Sequence, residues 1–194
     1  PDYGRALVLK PGSEALASIQ PIHANARIEV KDSYFLHHNN QQATRFESTT
    51  AYYGKNAERQ RKYLEQESVS GAQQNYLEFV GRYFSGARVD QPMTFEDDTE
   101  HNILTLRESY TINDFWDVDT EKSRQEADFY ANIVKSYLEI PDLSQRLDPL
   151  YLDHPSNVSQ EFEIHFDKDD WDLDSGHFVE DNPFFKFEYG SEFD

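Results

Sequence analysis

Cysteine is missing from this 194-residue chain altogether. Disulfides, zinc–thiolate sites and a cysteine nucleophile are therefore excluded. The redox compartment stays open, because a chain without cysteine suits either one. Long apolar runs are missing too: no stretch approaches the ~20 residues that a membrane span requires. No signal peptide opens the sequence. Neither G-x-x-x-x-G-K-S/T nor G-x-G-x-x-G occurs, so nucleotide binding by those phosphate loops is out. The G-x-S-x-G nucleophile elbow is absent as well.

Aromatic residues, in contrast, are abundant: 14 Phe and 12 Tyr within an apolar fraction of 37%. Such side chains bury large areas each, which makes disorder a poor reading despite the charge. The length suits one domain of ordinary size. The formal net charge is −19, and it is unevenly placed. Residues 1–95 hold 11 Lys/Arg and 10 Asp/Glu, a net of +1, whereas residues 96–194 hold 7 and 27, a net of −20. The acidic half argues against nucleic-acid or anionic-membrane partners and suits a solvated face.

Residues 1–25 read as a short strand (5–10, ended by Pro11-Gly12) and an extended connector, with a single domain over 26–194. Ile28, Val30, Tyr34 and Leu36 alternate with polar residues, and Asp32 breaks the apolar face once. A polar turn from His37 leads to a second strand, Thr44–Tyr53, and the pair reads as an antiparallel hairpin. One helix is expected from Asn56 and a second from the S-x-x-Q box at Ser70 and Gln73, closed by Ser85-Gly86. Leu104, Leu106, Tyr110 and Ile112 mark another strand, after an acidic turn at Glu96-Asp97-Asp98. A third helix is expected from Ser123, capped with Glu126 and stopped by Pro141. Residues 141–156 read as a loop. Val158–Phe166 and Phe184–Tyr189 read as strands. The resulting fold class is α+β: an antiparallel sheet of about five or six strands, open to a sandwich-like arrangement, with about three helices packed against it.

Chemistry is harder to find, and no catalytic residue, cofactor site or metal site is assigned. His37 and His38 are adjacent, so on a strand they would face opposite ways and could not share an ion. The run from Asp167 to Gly176 alternates Asp in the manner of a calcium loop. The register fails, with Ser175 where glycine belongs and Asp181 where a glutamate belongs. Trp171 in that run reads as an anchor of the turn. Paired carboxylates would need two acids converging in a cleft, one with a raised pKa, and with 37 acidic residues no pair stands out. Phe184, Phe185, Phe187 and Tyr189 read as a sheet-packing face. If any aromatics face a ligand, Trp116 and Phe185 are the candidates, with Tyr83 beside them.

Several segments resemble one family. Asp2-Tyr3-Gly4-Arg5-Ala6-Leu7-Val8-Leu9 with Pro11-Gly12 resembles the stretch after the catalytic core of bacterial transglutaminase-like proteins whose core is flanked by domains of unknown function. Tyr53-Gly54 with Ala57-Glu58 and Arg61, Asn102-x-Leu104, Glu108-x-Tyr110-x-Ile112 with Phe115-Trp116, and His154-Pro155 resemble further segments, in order. The resemblance implies a parent with a Cys-His-Asp core, exported to the periplasm or cell envelope. None of those catalytic residues is in this chain. It also implies a piece cut from a longer polypeptide: a non-catalytic accessory domain that packs against or positions the upstream core, or its substrate. The alternative is a glycan- or peptide-binding module of the envelope.

Overall fold

The computed structural model describes residues 5–12, 14–18, 26–121, 124–138, 156–168 and 174–193. Two short N-terminal strands, β1 (Arg5–Leu7) and β2 (Leu16–Ser18), pair as a ribbon of their own. Gly12, at φ 82°, takes the left-handed conformation in its turn. The expected connector over 13–25 therefore contains a strand.

The main sheet grows from β3 (Arg27–Leu36) and β4 (Thr44–Tyr53), joined as the alternation requires into an antiparallel hairpin. Burial along β3 follows the period of two, with Ile28, Val30, Asp32, Tyr34 and Leu36 all inward. The outer face is solvated and charged: Lys31 Nζ lies 3.1 Å from Glu163 and 3.6 Å from Glu161. After the helix α1 (Lys55–Val80), β5 (Arg88–Asp98) and β6 (Ile103–Ile112) extend the sheet, and β9 (Asn157–Phe166) closes the other edge. The strand order is β5-β6-β4-β3-β9. The β3–β9 pairing is parallel, so the sheet is mixed rather than antiparallel throughout. A long edge strand stands where an acidic turn was expected. Its alternation is masked by two register shifts around Gln91 and by Pro92, which an edge strand tolerates at a bulge. The turn itself moves to residues 99–102.

The described residues hold two helices rather than about three. The two expected helices over 56–84 run as the single element α1, kinked at Ser68 (φ 64°, ψ 162°). The Ser68 hydroxyl accepts the Gly71 amide at 3.2 Å and so caps the second segment, two residues before the expected cap at Ser70. The helix ends at Val80, with the Gly81 amide bonded to Leu77 O at 2.9 Å, ahead of the expected stop at Ser85-Gly86. The third expected helix is the short α2 (Asn132–Leu138). Its expected first turn, Arg124–Glu126, is instead β8, paired with β7 (Asp117–Asp119). Ser123, Pro21, Trp171, Pro141 and the loop that follows it, the His154-Pro155 segment, and Asp2-Tyr3-Gly4 lie outside the described residues. A last ribbon pairs β10 (Gly176–Asp181) with β11 (Lys186–Ser191). Phe184 is 92% exposed and Tyr189 59%, so this aromatic cluster is not a buried sheet-packing face.

One lock sets α1 on the sheet. Gly54 (φ 58°) and Asn102 (φ 55°) both adopt left-handed backbone, which lets the Gly54 amide reach Asn102 O at 3.0 Å. Arg61 then donates to Asn102 Oδ1 at 2.6 Å and to Asp97 at 2.8 and 2.9 Å, while Asn102 Nδ2 donates to Glu58 at 3.2 Å.

The core falls into two clusters under this arrangement. Tyr34, Leu36, Phe46, Tyr110, Ile112, Phe115 and Trp116 form one; Ala57, Leu64, Ala72, Met93, Leu104 and Leu106 form the other. Leu104 is fully buried, and its truncation to alanine is expected to cost about 2–5 kcal/mol in urea unfolding. Phe184→Ala, on the exposed turn, is expected to change stability by less than about 0.5 kcal/mol. Equal costs for the two would contradict the placement of the core.

Candidate functional site

Inward positions of a sheet packed under a helix should be apolar. Three strands break that rule at one level. Asp32 on β3 pairs with Ser48 on β4, and Ser48 pairs with Glu108 on β6. The inward row on one side is Tyr34, Phe46 and Tyr110; on the other it is Val30, Thr50 and Leu106. A polar line thus crosses three strands between the two core clusters, with Asp32 and Glu108 two strand spacings apart, about 10 Å between Cα atoms.

A cavity of about 410 Å³ opens over this line. Its far wall comes from the second segment of α1 (Tyr76, Phe79, Val80), from Tyr83 and Phe84 just beyond it, and from Tyr130, Asn132 and Ile133 at the start of α2. Ten of its twenty-one lining residues are Phe or Tyr. Tyr34 stacks on Phe46 at 4.6 Å and 11°, and Phe46 stacks on Tyr110 at 5.8 Å and 22°, so the aromatic floor is continuous.

The polar groups are held tightly. Gln160 of β9 donates to Asp32 Oδ2 at 2.7 Å, while its own Oε1 accepts the Ile133 amide at 3.2 Å. That residue therefore ties the acid to the N-terminus of α2. The Ser48 hydroxyl also bonds Asp32. The Tyr110 hydroxyl donates to Glu108 Oε1 at 2.6 Å. Tyr76 accepts from Gln60 at 2.7 Å and is bonded to Tyr52.

Burial dominates the electrostatics. It pushes the Asp32 carboxyl above the ordinary range, and the bonds from Ser48 and Gln160 pull it part of the way back. Glu108 is pushed up to about 7: desolvation outweighs the Tyr110 bond, and the negative charge of Asp32 adds to the rise. Burial also raises the hydroxyls of Tyr34, Tyr52 and Tyr110, and Tyr76 to about 12, so all four remain neutral at physiological pH. Among the described residues no lysine or histidine lines the cavity, and the one cationic lining residue, Arg82, is exposed.

Two acids converging in a cleft, one with a raised pKa, is the arrangement that carboxylate chemistry needs and that no spacing in the sequence revealed. The sequence did carry a signal: Asp32 interrupts β3, Glu108 interrupts β6 between Leu106 and Tyr110, and Gln160 interrupts β9. Only the register shows that the first two interruptions share a level and that Gln160 reaches Asp32 from the neighbouring edge strand.

The aromatic candidates fare differently. Trp116 is 7% exposed; its indole donates to His37 O at 2.6 Å, and its backbone exchanges hydrogen bonds with the Asn40 side chain at 2.8 and 3.0 Å. It bolts the β3–β4 turn to the core and presents no face to a ligand. Phe185 is 55% exposed and lines a second, more open depression with Val158, Tyr137 and Phe187. Tyr83 lines the main cavity. His37 and His38 follow the end of β3, off its pleat, so both rings face Asp167 Oδ2, at 3.6 and 3.5 Å, rather than opposite sides. Among the described residues no group of three His, Asp or Glu is placed to hold a metal ion. Residues 169–173 of the Asp-rich run lie outside the described residues. No helix among the described residues is long and apolar enough to cross a membrane.

No protein family, curated protein or solved structure matches the chain.

The raised Glu108 sets a sign for stability. Its native pKa of about 7 lies above the ordinary 4.5, so between those values the native state holds more of this proton than the unfolded chain does. Glu108 therefore destabilises increasingly as pH rises through that window and imposes no such penalty below it. Glu108→Gln is expected to gain on the wild type by about 1–3 kcal/mol from pH 4.5 to 7. Urea denaturation of both proteins across that range checks this; a difference that is flat or of opposite slope would show Glu108 to be solvated.

Proposed function

We propose that this domain binds a small molecule in the aromatic-walled cavity, with Asp32 and Glu108 as its polar anchors. The observation that carries the reading is the row of Asp32, Ser48 and Glu108 on the inward face of the sheet. Three hydrophobic residues there would let the two core clusters merge. Two buried carboxyls, neither paired with a cation among the described residues, weaken the fold instead, since a buried acid without a cation costs stability. A concave apolar site with a few convergent polar groups and a perturbed acid is the usual form of a ligand pocket.

The segments that resemble transglutaminase-like proteins fit this reading. Glu108-x-Tyr110 falls in the cavity itself, whereas Gly54, Glu58, Arg61 and Asn102 form the lock under α1. In a longer envelope protein of that kind, the domain would recognise a substrate or effector beside a core that supplies the cysteine chemistry. A second reading rests on one observation: Glu108, at about 7 and bonded to Tyr110, can both give and take a proton at neutral pH. General acid–base catalysis on the bound molecule would use that property.

The neutral dye N-phenyl-1-naphthylamine, whose fluorescence rises in apolar surroundings, tests the binding reading. Wild-type protein is expected to enhance it saturably, and Ser48→Phe or Ile133→Trp, which fill the cavity from floor and wall, to abolish the enhancement while circular dichroism stays unchanged. Undiminished enhancement in both folded variants would move the dye to the exposed ribbon and defeat the reading.

A further inference from the structure

We propose that the cavity selects a protonated amine, or another cationic nitrogen, carried on an apolar body; this inference rests on the reading of the cavity as a binding site. Asp32 spends one oxygen on Gln160 and binds Ser48, and Glu108 accepts from Tyr110; four carboxylate oxygens nevertheless offer lone pairs beyond these bonds. Asn132 adds another acceptor: its Oδ1 is shielded from solvent and has no hydrogen-bond partner among the described residues. The donors nearest these groups, by contrast, are already committed: Tyr110 gives its proton to Glu108, Tyr130 gives its own to Asp128 at 3.1 Å, and the Gln160 amide is used at both ends. Acceptors left open beside committed donors suit a ligand that donates.

Charge narrows the class further. Among the described residues the one cation lining the cavity, Arg82, is exposed, and no cation is among the groups that act on Asp32 or Glu108. At this polar row a carboxylate or phosphate ligand would meet two acids and the unpaired Asn132 carbonyl oxygen. A cation meets all three favourably. The walls suit the same class, because Tyr52, Tyr63, Tyr76 and Tyr83 line the space. Aromatic rings attract a desolvated cation through their quadrupoles, and they cover the apolar remainder of the molecule equally well.

Three probes of one size and different charge decide the matter: 2-phenylethylamine, 2-phenylethanol and phenylacetate, titrated calorimetrically into the 194-residue chain at pH 7.5. The amine is expected to bind roughly tenfold more tightly than the alcohol, with phenylacetate weaker still. Asp32→Asn should erase the preference for the amine over the alcohol; Glu108→Gln, which keeps the Asp32 bonds, should reduce it and serves if the first variant does not fold. Equal binding of the three, tighter binding of phenylacetate, or binding of none of them while N-phenyl-1-naphthylamine still enters overturns the cation inference alone. Failure of all four compounds to bind overturns the cavity reading with it.

Discussion

Two carboxyl groups held on the inward face of a sheet, with neither paired to a cation among the described residues, are the constraint on which the rest of this structure turns. An ionised carboxylate in an apolar interior is expensive, and a protein has three ways to limit the cost: hydrogen bonds, a proton or a counter-charge. This chain uses the first two. Ser48 and Gln160 stabilise Asp32, and the charge of Asp32 then helps keep a proton on Glu108. The neighbouring architecture follows. Gln160 can reach Asp32 only because β9 runs parallel to β3 in the register that places Val30 opposite Gln160, one pleat away from the acid. The same glutamine fixes the Ile133 amide in the first turn of α2 and thereby one wall of the cavity.

The space above the acids persists because the far wall is held off the sheet by contacts elsewhere. The kink at Ser68 turns the second half of α1, and the lock of Arg61 on Asp97 and Asn102 fixes the first half against the β5–β6 turn. Leu64 and Ala72 pack on either side of the kink in one cluster with Leu104 and Leu106, whereas Leu77, Val80 and Phe84 lean on the other cluster. Between these two points of support, Tyr76 and Phe79 span the cavity without filling it. Apolar packing at both ends supplies the stability that a polar row in the middle removes, which is the usual relation between a site and its scaffold.

How far this could be read from the residues depends on the kind of signal. β3, β4, β6 and β9 were legible, because half-buried strands write a period of two into the sequence. β5 was not, since Pro92 and two register shifts scramble its alternation, and an edge strand exposed on nearly every residue has little apolar pattern to show. The helix expected at Ser123 starts later because Ala127, one of its apolar positions, packs on the core together with Phe129 from a non-helical segment before α2 begins. Trp116 was misread for a related reason: an aromatic residue at a turn resembles a ligand platform, and only the bond to His37 O reveals a bolt. The site itself was half legible. Asp32 was visible as a break in an apolar face, but positions 32, 48, 108 and 160 lie far apart along the chain. Periodicity within a strand carries no information about register between strands.

That limit also explains why motif searching points elsewhere. Motifs report residues held together by one local turn or helix, and this site has no such segment: Asp32, Ser48, Glu108 and Gln160 each come from a different strand. What links the two acids is an electrostatic effect of Asp32 on Glu108. Glu108 holds its proton because water is excluded and, in smaller part, because Asp32 is charged nearby. A cation placed between them would reverse the second condition while preserving the first, favouring the ionised form of Glu108 and releasing its proton. Proton and ligand would then be competing answers to the same buried charge, and the ligand's affinity would rise with pH through the range in which Glu108 titrates. A purely apolar ligand, touching only the tyrosines, would expel water without adding charge and drive the same proton onto Glu108 more firmly. The direction of proton exchange on binding therefore reports which part of the cavity the ligand engages, independently of how tightly it binds.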